Sequence, residues 1–501
     1  MENIKSTEKF SKDLVLKLIL SAIPAIFWVV FLWNFWDKGF YVLGFNATIF
    51  GFFFLGLFIW VLYKKSYYTN HDLFWIIPMI LILLSYSIYD NPFLKITSLL
   101  VLPAMFTAFY NQAFLSDKEI KLWNFEFILK IASRFFSFLA KLSQTVALYL
   151  NLIIPAGKTK KHIIVRVAGG IILFLMIALT VFIPLLSSAD AVFADKAQVI
   201  YNWFLNILSL PFMYKLLTCI VLTVLFFSAL TAWSMRFDYK EKEGVDKKID
   251  PIISGIVLGG VLCLYLLFLW VQINRLWVGA LPLDFKETEN LVKSGFWQLF
   301  FLSIINILIY FFTYRKTMLW VQRILTVFTI ASLFLLISAG YRMGLYVTYY
   351  GFSYEKFFAS YTVIYCAILF IWLIIQLFIK QRANILKFLI FLFLWMYAAV
   401  SVLPVEQFML RTNVALAGLK ESRIRLFELT MLSPDVLSLV KKYQQQGLLK
   451  ENAGYLSREK ENKSSEEFDW NPWIKRQEKI ISDKVWYEKN LVNIIYTGKY
   501  D

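Results

Sequence analysis

The chain has 501 residues, of which 59% are hydrophobic, 19% aromatic and only 17% charged, with a formal net charge of +17. An average soluble domain carries about a quarter charged residues and under half apolar ones, so a water-soluble fold, a disordered chain and a collagen are all excluded. The composition specifies an all-α polytopic integral membrane helix bundle, because only helices or closed barrels satisfy their backbone in lipid.

A helix needs about 20 apolar residues to span the hydrocarbon. Eleven runs qualify: 18–36, 41–63, 73–89, 96–115, 167–186, 216–235, 252–273, 295–314, 324–341, 357–379 and 387–403. Aromatic residues crowd their ends, as at Trp33, Phe35 and Trp36 or Tyr346, Tyr349 and Tyr350, in the manner of an interfacial belt. The first run is too long for a signal-peptide core and no small-x-small cleavage site follows it, so it is read as a retained anchor. Pro24, Pro78 and Pro103 lie inside spans, where neighbouring helices can satisfy the carbonyls they free.

Lysine and arginine set the orientation. With the N-terminus inside, the inner segments carry 26 basic residues and the outer loops 9. The positive-inside rule therefore makes the N-terminus cytoplasmic, and an odd span count puts residues 404–501 outside. Two stretches are too polar or too short to cross. Residues 120–142 set Lys130, Arg134 and Lys141 against Phe127, Ile131, Phe135 and Phe138. They read as an interfacial helix on the inner leaflet, and with Lys158, Lys160 and Lys161 they form the expected inner-leaflet lipid contacts. Residues 196–213 read as a second interfacial helix, on the outer side, broken at Pro211.

Gly255-x-x-x-Gly259 and Gly340-x-x-x-Gly344 are expected at close helix–helix approaches. Asn306 and Gln376, polar and mid-span, are expected to make packing hydrogen bonds. No inverted repeat relates the two halves, which weighs against a secondary transporter.

After residue 403 the chain changes character, with 16 basic and 14 acidic residues. Residues 422–446 read as two short helices. Leu426, Leu429 and Leu432 form one stripe, and Val436, Leu439 and Val440 the next. Ser433 is the N-cap between them and Pro434 the first helical residue. Residues 451–469 form a polar linker. Residues 470–496 regain Trp470, Trp473, Ile474, Ile480, Trp486 and Tyr487 and are expected to dock. The domain organisation is thus a transmembrane bundle, 1–403, and an extracytoplasmic helical tail, 404–501.

Chemical motifs are scarce. Cys219, Cys263 and Cys366 each lie in an apolar run and read as small buried hydrophobes. His71 and His162 stand far apart in loops, so no histidine metal site is expected. Phosphate-binding, dinucleotide, zincin, nucleophile-elbow and kinase signatures are missing. No cofactor is expected. The +17 charge would suggest nucleic acid in a soluble protein. Here it follows from membrane topology, so no nucleic-acid partner is expected.

Four segments carry a resemblance: 185–193 (LLSSADAVF), 271–299 (VQINRLWVGALPLDFKETENLVKSGFWQL), 338–356 (SAGYRMGLYVTYYGFSYEK) and 427–439 (FELTMLSPDVLSL), the last preceded by Arg411-Thr412-Asn413. Over residues 180–440 the chain resembles the bacterial polytopic membrane family catalogued as domain of unknown function 4173, with 4153 as its sister. Lys293, Gly295, Phe296, Arg342, Met343, Tyr346 and Gly351 match the pattern. Asn290 stands at an acidic position with Glu289 beside it, Ala191 replaces a proline, and Lys356 replaces an arginine. The resemblance implies a multi-pass protein of the bacterial cytoplasmic membrane and no particular activity.

By the charge count all four segments lie on the outer side. They gather a candidate polar cluster of Asp190, Glu289, Lys293, Arg342, Lys356, Glu406 and Arg411, with Asp190 and Arg342 expected to pair at similar depth. The leading expectation is a non-enzymatic sensor, regulator or envelope-assembly component that contacts the bilayer and an envelope protein through its outer face. A transporter or channel is the second reading, which a continuous polar cavity would favour. A membrane enzyme acting on a lipid carrier is the third.

Overall fold

The computed structural model describes residues 12–64, 73–113, 125–153, 210–233, 249–275, 285–314, 316–379, 384–419, 426–449 and 469–500, with 169, 170, 173, 174, 177, 422 and 424 besides. Among the described residues every regular element is helical. The chain divides into two compact units. One holds Met1–Ile76, Val101–Ser116 and Glu126–Asp238; the other holds Ile77–Leu100, Asp117–Phe125 and Tyr239–Asp501. The division does not fall at residue 403: the tail belongs to the second unit.

Five helices are long and apolar enough to cross a membrane, or up to six if the bent pair Leu16–Phe31 and Phe35–Val42 is one span. Four shorter apolar helices, Phe45–Trp60, Trp75–Ile88, Pro92–Thr107 and Trp297–Thr313, also fall on predicted runs. This establishes a membrane protein, not the count of eleven. The run 167–186 and the segment 196–213 lie largely outside the described residues.

In the first unit, α1 (Lys12–Phe31), α3 (Phe45–Lys64), α7 (Ser137–Ile153) and α8 (Leu210–Trp233) pack together, following the short α2 (Phe35–Lys38). Asn46 fixes the α1–α3 corner. Its Nδ2 donates to the carbonyls of Phe31 and Val42, both at 2.9 Å. Phe58, Phe106 and Trp233 form an aromatic cluster. The predicted inner-leaflet helix 120–142 is two helices, α6 (Phe125–Phe135) and α7, broken at Phe136.

In the second unit, α9 (Pro251–Arg275) and α10 (Phe285–Thr313) both pack on α11 (Leu319–Tyr350), which also packs on α12 (Tyr354–Ile379); α13 (Ile385–Val402) returns along α12. Leu258, Tyr265, Tyr310, Phe328, Leu369 and Leu373 fill its core. Polar groups in that core are satisfied across helices, as a low-dielectric interior demands. Tyr265 donates to Asn306 at 2.6 Å and Asn306 to Ser332 at 3.0 Å. Tyr310 and Tyr365 donate to the carbonyls of Leu373 and Leu389, each at 3.0 Å. Asn306 thus makes the packing bonds expected of it, whereas the Gln376 Oε1 has no partner among the described residues. Of the two glycine pairs, the first members are at close contacts, Gly255 under the Trp320 ring and Gly340 against Val363, while a Cβ on Gly259 or Gly344 would meet nothing within 4 Å among the described residues.

α11 ends at Gly351, whose φ of 69° lies in the left-handed region. Asn413, on α14 (Val405–Ala417), clamps the following turn: it accepts from the Phe352 N–H at 2.6 Å and donates to the Phe352 carbonyl at 2.8 Å. A Cβ on Gly351 would stand 2.8 Å from the Asn413 Oδ1. Gly351→Ala is therefore expected to destabilise by about 1–3 kcal/mol, read as a lower unfolding temperature in detergent. An unchanged temperature would show that the turn is not strained.

Candidate functional site

At the end of the second unit where α11 meets α12, the chain buries a cluster of charges. It begins in the turn between α4 (Leu73–Ile88) and α5 (Pro92–Ala113). The Asn91 side chain accepts from the Leu94 N–H at 3.1 Å, and Pro92 fills the first helical position. That cap fixes the start of α5, so Lys95 stands one turn in and reaches back to Asp90.

Asp90 is fully buried. Its Oδ1 accepts from the Lys95 ammonium at 2.7 Å. Its Oδ2 accepts from the Lys484 ammonium and, at 2.7 Å, from the Asn493 Nδ2. Both lysines are themselves buried. Asn493 is held by the cap of α17 (Leu491–Tyr500): the Asn490 Oδ1 accepts from the Asn493 N–H at 2.8 Å. The Asp90 N–H in turn donates to the Asp435 Oδ2 at 2.6 Å.

Asp435 belongs to the Ser433–Pro434–Asp435 turn, where Ser433 caps a single 3-10 turn as the sequence indicates. It precedes α15 (Leu437–Gln445). Glu406, in the first turn of α14, closes the network. Its Oε2 accepts from the Ser433 N–H at 2.9 Å and from the Ser433 hydroxyl, and its Oε1 from the Tyr354 hydroxyl.

The environment splits the three carboxyls. Burial pushes Asp90 up, but the Lys95 and Lys484 ammonium groups outweigh it and hold Asp90 below the usual carboxylate range. Burial raises Asp435 well above that range, and the negative charges of Asp90 and Glu406 add to the rise. Burial also raises Glu406, against the hydrogen bonds from Ser433 and Tyr354. The network therefore sets one carboxylate, held low between two ammonium groups, beside two carboxyls whose affinity for a proton is raised. The Asp435 Oδ1 and the Asn91 Nδ2 have no partner among the described residues. Both residues line a pocket of about 10 Å³, the size of one water molecule, with Tyr89, Leu94 and Glu406.

Farther along the tail, α16 (Asn471–Ser482) is tied to α15 by Lys441 and Glu478 at 2.5 Å, and Tyr496 donates to Glu478 at 2.9 Å. Trp473 donates to the Thr430 carbonyl at 2.9 Å. Leu426, Leu429, Leu432, Trp470 and Ile474 are buried, whereas Trp486 is exposed. The linker 451–469 lies outside the described residues except for Asp469.

Of the predicted outer cluster, Glu406 joins the network. Lys356 instead lies 4.6 Å over the Tyr346 ring and donates to the Tyr350 carbonyl at 3.1 Å. Arg342 is half-buried on α11, and its Nε and Nη2 have no partner among the described residues. Arg411 is exposed on α14. Glu289 and Lys293 fall on α10, and Asp190 lies outside the described residues. On the predicted inner leaflet, Lys130 pairs with Glu126 at 3.5 Å and Lys141 donates to Gln144 at 3.2 Å. Arg134 turns inward and donates to the Trp233 carbonyl at the end of α8 at 3.0 Å, a place where a cation also suits the helix dipole. Lys158, Lys160 and Lys161 lie outside the described residues.

The sequence analysis missed Asp90, Lys95, Asp435 and Lys484 as site residues. The one local signal was the pair of capping turns, Asn91-Pro92 and Ser433-Pro434, each with an aspartate within two residues of the proline.

Residues 76–442 match the model of the family described as domain of unknown function (DUF4153). The chain belongs to this family. The match corrects the expectation of family 4173 to its sister 4153, and it covers more of the chain than the resemblance did. It contains Asp90, Lys95, Glu406 and Asp435, while Lys484 and Asn493 lie beyond it. No curated protein and no solved structure matches the chain.

A double-mutant cycle tests whether the buried charges act as one unit. Lys484→Met leaves Asp90 short of a partner, and Asp90→Asn leaves two buried ammonium groups, so each single variant should cost about 3–5 kcal/mol. The double variant should cost clearly less than their sum, read from denaturant unfolding followed by hydrogen exchange at 470–500. Strict additivity would separate the two residues.

Proposed function

We propose that this protein is a non-enzymatic sensor or regulator of the bacterial cytoplasmic membrane, with its C-terminal tail as the responsive element on the outer face. The observation that carries the reading is the buried network. It ties the tail, through Asp435, Lys484 and Asn493, to the turn that opens α5, and burial raises the proton affinity of two of its carboxyls. A core of Leu, Phe and Tyr in the second unit, with a folded tail at one end, supports this reading over a transporter. An envelope protein that meets the released tail is the partner of this scheme, alongside the bilayer. The outer assignment rests on charge. The opposite end of this unit, where Ile249 meets Lys316, is bounded by the short basic segments 236–251, 315–323 and 380–387. We retain eleven spans with a cytoplasmic N-terminus as the topology.

The enzyme reading keeps one specific support. The Nε–Nη2 edge of Arg342 is the edge that grips a phosphate or carboxylate in two parallel bonds, and it is buried and unpartnered among the described residues.

The raised carboxyls give the pH dependence one sign, against which Lys95, lowered by burial, adds stability as the pH rises through its own lowered value. Asp435 and Glu406, raised on folding, add stability that is complete below the ordinary carboxylate range and is lost as the pH rises through their raised values. Asp90, lowered, adds stability lost only as the pH falls through its depressed value. Tail docking should therefore be tightest in mild acid and loosen toward alkaline pH. Hydrogen exchange of residues 470–500 in nanodiscs, corrected for intrinsic rates between about pH 5 and about pH 8, should show falling protection. Asp435→Asn should flatten that dependence. Constant protection in the unaltered chain would remove the basis of the sensor reading.

The topology is checked by a cysteine added after Asp501. An impermeant maleimide should label it in intact cells. Labelling only after lysis would place the tail in the cytoplasm.

A further inference from the structure

Helix α17 is built inside out. Asn490, Asn493 and Tyr496 face the protein, bonded within the network and to Glu478. Leu491, Ile494 and Ile495 face away, and Ile495 is 68% exposed. Trp486, 69% exposed, and Val485 extend this apolar surface on the preceding turn. A helix on a water-soluble surface carries the opposite pattern, with its apolar stripe toward the core. Here the polar stripe is spent on a buried carboxylate, and the apolar stripe needs an apolar neighbour.

The position of the helix identifies that neighbour. The Asn493 Nδ2 lies 2.7 Å from the Asp90 carboxylate, so α17 sits at the turn where α4 ends and α5 begins. The first turns of α5 expose Phe93, Ile96, Leu99 and Leu100, which is the outward face of an apolar helix in a membrane protein. Asn493 thus holds α17 at the end of α5 whose first turns carry this exposed apolar face. At 10 residues the helix is about 15 Å long, half the hydrocarbon thickness, so it lies on the bilayer and does not cross it. Trp486 suits the headgroup boundary.

We propose that α17 is an interfacial anchor. Leu491, Ile494, Ile495 and Trp486 rest in the headgroup–acyl boundary of the leaflet at the α4–α5 turn, while Asn490 and Asn493 hold the helix to the protein. The partner is the lipid surface itself.

The full chain is placed in nanodiscs of phosphatidylethanolamine and phosphatidylglycerol with a benzophenone amino acid at position 495, and in a second sample at position 475, an exposed site on α16. Irradiation followed by mass spectrometry should give phospholipid adducts at 495 and none at 475. Adducts at 495 to polypeptide alone, whether a second copy or another protein, would overturn the proposal, as would no adduct at all, which marks a water-facing site. If the replacement at 495 prevents folding, the same measurement at position 491 decides by the same outcomes. Loss of the pH response with lipid adducts retained would leave the anchor standing and remove only the sensor reading.

Discussion

The tail is held by one carboxylate. Asp90 is out of reach of water, and in that position an ion is tolerable only with full compensation, since its desolvation alone costs several kcal/mol. Lys95 supplies one counter-charge from the next turn of α5. The second comes from Lys484, 394 residues away in the chain. An ammonium group so buried has no role apart from a carboxylate, so the two residues oblige the C-terminal segment to dock. Such a pair adds little net stability over an apolar contact, but either half left alone is strongly unfavourable. What it provides is a unique docked position.

Charge balance adds to burial in raising the neighbouring carboxyls, Asp435 and Glu406. Were Asp90, Asp435 and Glu406 all ionised, three negative groups would face two positive ones in a medium that barely screens them. A proton on Asp435 or Glu406 would remove part of that repulsion, which is the basis of the proposed pH response.

Much of the fold was legible in the sequence. Apolar runs of membrane length fall on helices, the Ser433 cap forms as read, and Leu426, Leu429 and Leu432 are buried as a stripe. Arg134 and the network were not legible. Arg134 looked like a lipid contact because it recurs with Lys130 and Lys141 at helical spacing, yet it binds a carbonyl 99 residues away. Asp90 and Lys95 stand in a short loop between apolar runs and Lys484 in a tail rich in charge, so no pattern sets them apart. Periodicity reports which face of a helix is apolar; it carries no information about which distant charge will meet it. Glu406 was singled out for its place at the start of the tail and not for its contacts. Its partners, Ser433 and Tyr354, were identified by packing alone.

α17 shows why the usual rule for amphipathic helices has to be read with its solvent. Periodicity alone gives Leu491, Ile494 and Ile495 as a stripe to be buried, and a tail of under a hundred residues has too thin a core to bury it. The fold resolves this by burying the other stripe. Under the proposed anchor, that inversion is favourable because a carboxylate waits on one side and lipid on the other. The hydrogen bond from Asn493 to Asp90 places the tail at the same end as the α4–α5 turn. The α12–α13 hairpin returns the chain to the end at which Tyr354 meets Glu406, and at that end Asn493 and Lys484 meet Asp90. In the proposed arrangement the side of the α4–α5 turn, the side of the tail and the leaflet facing α17 are one structural variable, set by Asp90.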